Sequence, residues 1–216
     1  MVQIHFRPQN IPRKHQRMNE EILRNMAVIQ ERINNACKES NRNPDEVKLL
    51  LATKTVPVER IKIALQAGHT LIAENKVQEL KEKYEALKGV SHTNHFIGHL
   101  QTNKIKEVLK YDVSCIQSLD RIDLAEKLQQ RLEYEDKTID VLVQVNTSNE
   151  ESKFGVHPDN AIALVQQIAR LDRLKIKGLM TIGLFSAETE KVRQCFKLLK
   201  NIQQEIIALN IPDIQM

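Results

Sequence analysis

A chain of 216 residues with 41% hydrophobic and 28% charged residues can bury one real core without a disulfide framework. Aromatic residues at 4%, with no Trp, argue against a stacking surface for single-stranded nucleic acid, and no apolar run approaches membrane-spanning length. The net charge of +4 is local: residues 1–17 hold Arg7, Arg13, Lys14 and Arg17 without an acid, which leaves 28 residues of each sign elsewhere.

Residues 1–17 contain Pro8 and Pro12 and no apolar periodicity, so they are expected to be a disordered basic extension or residues upstream of a natural start at Met18, with a transit peptide as the competing reading. From Met18, the spacing of Ile22, Met26, Ile29 and Ile33 predicts an amphipathic helix over 18–40. Asn43-Pro44-Asp45 breaks the chain before a β-type run, Val47–Thr53. A helix follows Pro57 and stops at Gly68. The cycle then repeats. Strands are predicted at 70–73, 95–97, 113–118, 141–145 and 174–182, alternating with helices at 77–87, 103–109, up to about 134, 160–171 and 188–209. Pro212–Met216 reads as the start of a seventh strand.

Regular alternation with short connections implies a parallel sheet covered by helices. The turn after the first strand reads Lys54-Thr55-Val56-Pro57, not the glycine fingerprint of a dinucleotide-binding sheet. That turn, the helix preceding the first strand and the number of units favour an α/β fold of the TIM-type (β/α) barrel over an open doubly wound sheet. The barrel is expected over 18–216, with its last one to two strands missing.

The strands are apolar with polar exits: Lys54, Glu74-Asn75, His99 to Asn103, Ser118 to Asp120, Asn146 to Ser148, and Thr181. In a (β/α) barrel such ends converge on the face that carries active sites. Lys54 ends an apolar strand, so its amine is expected beside the barrel core, desolvated and suited to attack an aldehyde. A lysine snorkelling to water explains the same spacing. His92, His95 and His99 do not share one strand face, so no metal site is assigned. Lys81-Glu82-Lys83 reads as solvated helix surface. Cys37, Cys115 and Cys195 lie far apart without a CxxC, which fits structural thiols in a cytoplasmic protein.

These stretches resemble the PLP (pyridoxal 5′-phosphate) homeostasis proteins, related to the barrel domain of fold-type III alanine racemases. The matching segments are Leu51–Thr55, Ala73-Glu74-Asn75 with Gln78-Glu79, His95–Lys104, Ser118-Leu119-Asp120, Val145-Asn146 with Ser152–Gly155, and Gly178–Ile182. The resemblance implies a PLP carrier that regulates vitamin B6 and amino-acid pools without catalytic turnover. It places the cofactor's Schiff base on Lys54, sets Asn75 near the pyridine ring's hydroxyl, and puts Met180 in the pocket wall. PLP-dependent apo-enzymes become candidate partners, a monomer is compatible with the length, and neither membrane nor nucleic acid is implied. The racemases' second domain, which supplies a tyrosine base, does not fit in this length, so a PLP-dependent racemase or lyase is the alternative. Lys76 stands where an aromatic is common. The family pattern continues with phosphate-binding and arginine-bearing segments on strands seven and eight, which do not occur before Met216, so the first and sixth strands are expected to expose their edges.

Overall fold

The computed structural model describes residues 13–212, 214 and 216, with side chains from Met18 onward. Helix α1 (Arg13–Glu39) starts five residues before the predicted position. The expectation for residues 1–12 lies outside the described residues. Of the apolar stripe on α1, Met26 and Cys37 are buried while Ile29 stays exposed; the helix rests on α2 (Val58–Gln66) with a single edge.

Six parallel strands follow: β1 (Leu51–Ala52), β2 (Leu71–Glu74), β3 (Thr93–Phe96), β4 (Val113–Leu119), β5 (Ile139–Gln144) and β6 (Leu174–Met180). They pair in sequential order from β1 to β6. Sequential parallel order is that of a (β/α) barrel; a doubly wound sheet reverses at a switch point. The sheet stays open between β6 and β1 among the described residues. Ile211, Pro212, Ile214 and Met216 carry no strand pairing, so the predicted seventh strand is not formed there.

Strand β1 is much shorter than the apolar run that predicts it. Its register sets Leu51 against Ile72 and Ala52 against Ala73, so residues 47–49 extend past the start of β2 and have no ladder to join. Apolar sequence makes a strand only where a partner exists.

The connections are helical: α3 (Val77–Leu87), α4 (Ile105–Val108), α5 (Ile122–Glu135), α6 (Ala161–Ile168) and α7 (Thr189–Ala208). Each buries a helical stripe. On α5 it is Leu124, Ala125, Leu128 and Leu132; on α6 it is Ala161, Leu164, Val165 and Ile168. These stripes meet Val141, Val143 and Val145 of the β5 segment in one large core. A second, smaller cluster of Ile61, Leu65, Ile72 and Leu87 lies under β1 and β2.

Candidate functional site

The strand C-termini and the loops after them lie at one end of the sheet, and most of their polar groups brace loops. Ser118 Oγ donates to the Gly98 carbonyl at 2.5 Å. Thr147 and Thr181 hydroxyls pair at 2.9 Å, and Asn146 Nδ2 donates to the Glu150 carbonyl at 2.9 Å. Asp120 takes Arg121 at 2.8 Å, while Arg121 also donates to the Leu100 carbonyl at 2.7 Å. His99 stacks on Phe154 with ring centroids 3.9 Å apart, joining the loops after β3 and β5. Gly155, at φ +125, lies against the backbone of Asn146, where an added Cβ would meet the amide nitrogen at 2.6 Å.

Two groups stand apart from this bracing. Lys54 is exposed and its amine makes no hydrogen bond or ion pair among the described residues. Asn75, on the neighbouring strand end, has a buried Oδ1 without a hydrogen-bond partner. Its backbone is held by Gly98, whose position leaves no room for a side chain: a Cβ there would lie 1.9 Å from the Asn75 carbonyl oxygen. Met180 is half-buried at the same end of the sheet, its carbonyl accepting the Val145 amide at 2.8 Å. It lies on β6, the edge opposite β1. The fold therefore sets Lys54 and Asn75 side by side, and Met180 across the open sheet from them.

The exposure of Lys54 departs from the desolvated position expected of it. Ala52, Thr53 and Lys54 run exposed, buried, exposed, the alternation of a strand. Thr53 faces the helix layer, and Lys54 faces the side that the open sheet leaves to solvent.

What lies behind Lys54 is more ordered. Thr53 is 4% exposed, and its hydroxyl donates to Glu74 Oε1 at 2.6 Å. Lys83 Nζ reaches Glu74 Oε1 at 2.7 Å, Glu79 Oε2 at 2.8 Å and the Thr53 carbonyl at 2.8 Å. Glu79 Oε2 also accepts the Thr55 amide at 2.7 Å. Lys83 is thus a buried cation with three acceptors, not the solvated surface that the Lys81-Glu82-Lys83 run suggests. Its neighbours signal this: Leu80 and Leu87 occupy the same buried face of α3. Burial pushes the Glu74 carboxyl up, against the pull of Lys83 and Thr53. Burial acts the same way on Glu79, but the Lys83 ammonium and the Thr55 amide outweigh it and hold that carboxyl below the usual range.

The loop that presents Lys54 is a turn closed by the Val56 amide and the Thr53 carbonyl at 2.9 Å. Thr55 sits third in it at φ +62, where a type II turn requires positive φ and favours Gly or Asn. A β-branched residue there costs about 1–3 kcal/mol and persists only when its surroundings hold it. Glu79 and Lys83 are those surroundings.

Deeper in the sheet, register sets Ala73, His95, Cys115, Asp140 and Lys175 in one row across β2 to β6. His95 Nδ1 lies 2.7 Å from Gln117 Nε2, and burial lowers its pKa. Burial, helped by Asp140, pushes the Cys115 thiol up to about 12. Cys37, Cys115 and Cys195 are all free and buried. A cleft of about 690 Å³ opens between α3 and the loop after β3, lined by Asn75, Gln78, Lys81, His99, Gln101 and Lys104 among others. It reaches Asn75 but not Lys54 or Met180, so it flanks the strand-end pair rather than containing it. Among the described residues no helix is long and apolar enough to cross a membrane.

Residues 23–215 match the family model of the alanine racemase N-terminal domain. The chain is 42% identical over 181 residues to a pyridoxal phosphate homeostasis protein of Aquifex aeolicus, covering 84% of this chain and 79% of that one. A solved protein of Bifidobacterium adolescentis superposes with a TM-score of 0.85 at 37% identity over 91% of this chain and 83% of its own. PipY of Synechococcus elongatus, solved with PLP bound, shares the fold at a TM-score of 0.72 and 24% identity, covering 85% of each chain. The chain belongs to the pyridoxal phosphate homeostasis protein family, built on the alanine racemase N-terminal domain.

Proposed function

We propose that this protein binds PLP and serves PLP and amino-acid homeostasis without catalytic turnover, with Lys54 as the residue that takes the cofactor. The observation that carries the reading is the pair at the ends of β1 and β2: among the described residues, an exposed amine with no partner beside a buried amide oxygen with none. Buried polar atoms are rarely left unpaired without a reason, and Asn75 Oδ1 is free to accept from a ligand hydroxyl. PLP supplies an aldehyde that a lysine amine takes as a Schiff base. Lys54 would hold it covalently, Asn75 would meet its ring hydroxyl, and Met180 would contact it from β6. Relatives bearing the homeostasis name, and the PLP seen in PipY, support the same assignment. PLP-dependent apo-enzymes of the cytoplasm are the recipients this reading suggests.

The alternative, a PLP-dependent racemase or lyase, needs a base at the substrate α-carbon. His95 pairs with Gln117 below the strand ends. His99 stacks on Phe154 and stands 3.8 Å from Asp120, too far for the carboxylate to orient it. The test is incubation of the purified chain with PLP. Yellow absorbance that borohydride fixes, and that Lys54→Ala abolishes, is the expected result; a colourless protein sinks the reading. Alanine in deuterated buffer should then keep its α-proton, and exchange at that position would restore the enzyme.

A further inference from the structure

The two residues on either side of Lys54 are held by one helix. Lys83 donates to the carbonyl of Thr53, and Glu79 accepts the amide of Thr55. Both side chains come from α3, one turn apart, and they bond each other at 2.8 Å. Glu74, 2% exposed, anchors the far side of Lys83 at 2.7 Å and takes the Thr53 hydroxyl. The backbone of the Lys54 turn is therefore gripped before and after the lysine, while the Lys54 side chain itself is left without a partner among the described residues.

A buried ion triad is a poor choice for stability alone, because an apolar replacement of similar volume often does as well. Its surroundings make that choice conspicuous, since Leu80 and Leu87 share the buried face of α3 with Lys83 and an apolar residue at 83 would continue the small core under β1 and β2. What an apolar residue cannot do is donate to the Thr53 carbonyl and fix the carboxylate that holds Thr55. Thr55 needs that hold, because its left-handed φ of +62 is one a β-branched side chain resists.

We propose that Glu74, Lys83 and Glu79 form a positioning device for Lys54, clamping the peptide groups on both sides of it so that its amine is presented in one orientation. These are positioning residues: their hydrogen bonds go to Thr53, to Thr55 and to one another. The clamp spares a PLP adduct the cost of ordering the turn, which is where affinity is lost when a binding loop is loose. This deepens the proposed function and rests on Lys54 being the PLP lysine.

The test uses the full chain. Glu79→Ala removes the acceptor of the Thr55 amide and leaves the buried Lys83–Glu74 pair in place; Glu85→Ala, on the exposed side of the same helix, is the control. Hydrogen exchange at the Thr55 amide should accelerate at least tenfold in Glu79→Ala, with the β4 and β5 amides and the control variant unchanged. The apparent Kd for PLP, read from the yellow absorbance before any reduction, should rise at least tenfold in parallel. Lys83→Met should do the same, and if it fails to fold, Glu79→Ala decides. Wild-type PLP affinity in a folded Glu79→Ala overturns the proposal whether or not Thr55 loosens. Should the wild-type chain form no adduct at all, the Schiff-base reading fails instead. The clamp is then judged on Thr55 exchange alone, unchanged exchange overturning it.

Discussion

The two halves of the sheet are held together by different physics. From β3 to β6 one apolar core runs through the strands, which reach six or seven residues in β4, β5 and β6, and their outward side chains interlock with α5 and α6. From β1 to β2 the strands are two and four residues long, the apolar cluster is small, and the decisive contacts are hydrogen bonds among Thr53, Glu74, Glu79 and Lys83. The candidate cofactor lysine sits on the second kind. Apolar packing is non-directional and tolerates small shifts, whereas a charged hydrogen bond fixes distance and angle. A half that must aim one amine gains from the latter.

The largest effect that would break this contrast is Lys83→Met. It leaves Glu74 buried without its cation, a loss of about 3–5 kcal/mol. Chemical denaturation should show that loss, and hydrogen exchange should place most of it in β1 and β2 rather than in β4 and β5. Next comes Leu128→Ala in the apolar half. Leu128 is fully buried on α5, and its truncation should cost about 2–5 kcal/mol. Here the loss should spread over the whole chain, with the Thr55 amide following the rest.

The same contrast marks what the sequence makes legible. Alternation of β-type runs with helical stripes is readable because each stripe answers a sheet face, as Leu124, Leu128 and Leu132 do on α5. The polar half is not, because its logic is pairwise. Lys83 reads as surface in a run of charges, and only its place between Leu80 and Leu87 betrays that it is buried. The partners Glu74 and Thr53 stand nine and thirty residues away, beyond any local pattern. Lys54 and Asn75 are singled out by family resemblance, and the solvent exposure of Lys54 follows from a sheet that stays open between β6 and β1 among the described residues, which no strand-end rule contains. The six polar exits read as one ligand-binding set, yet Ser118, Asp120, Asn146, Thr147 and Thr181 are occupied in bracing loops.

Two smaller effects sharpen the boundary between the halves. Gly98→Ala places a Cβ on the Asn75 carbonyl and should cost about 1–3 kcal/mol by overpacking. The backbone at the ends of β2 and β3 must part, so PLP affinity should fall more than the melting temperature predicts. The smallest effect is that of pH on His95. Burial lowers its pKa, more than the nearby Asp140 raises it, with Lys48 adding to the lowering and Gln117 in contact. A histidine with a depressed folded pKa is protonated more readily when unfolded. Its contribution to stability is therefore complete above the unfolded value of about 6.5 and is lost as pH falls through the folded one. Melting midpoints should decline modestly as pH falls below about 6.5, and His95→Gln should flatten that slope.

The central claim is that one amine among the lysines of this chain is presented for covalent capture of PLP. Reduction of the PLP-treated chain with borohydride, followed by proteolysis and mass mapping, tests it most directly. The account predicts that at substoichiometric PLP the pyridoxyl mass falls on the peptide bearing Lys54. A label spread evenly over the exposed lysines, with Lys54 no more modified than Lys81 or Lys104, would contradict it.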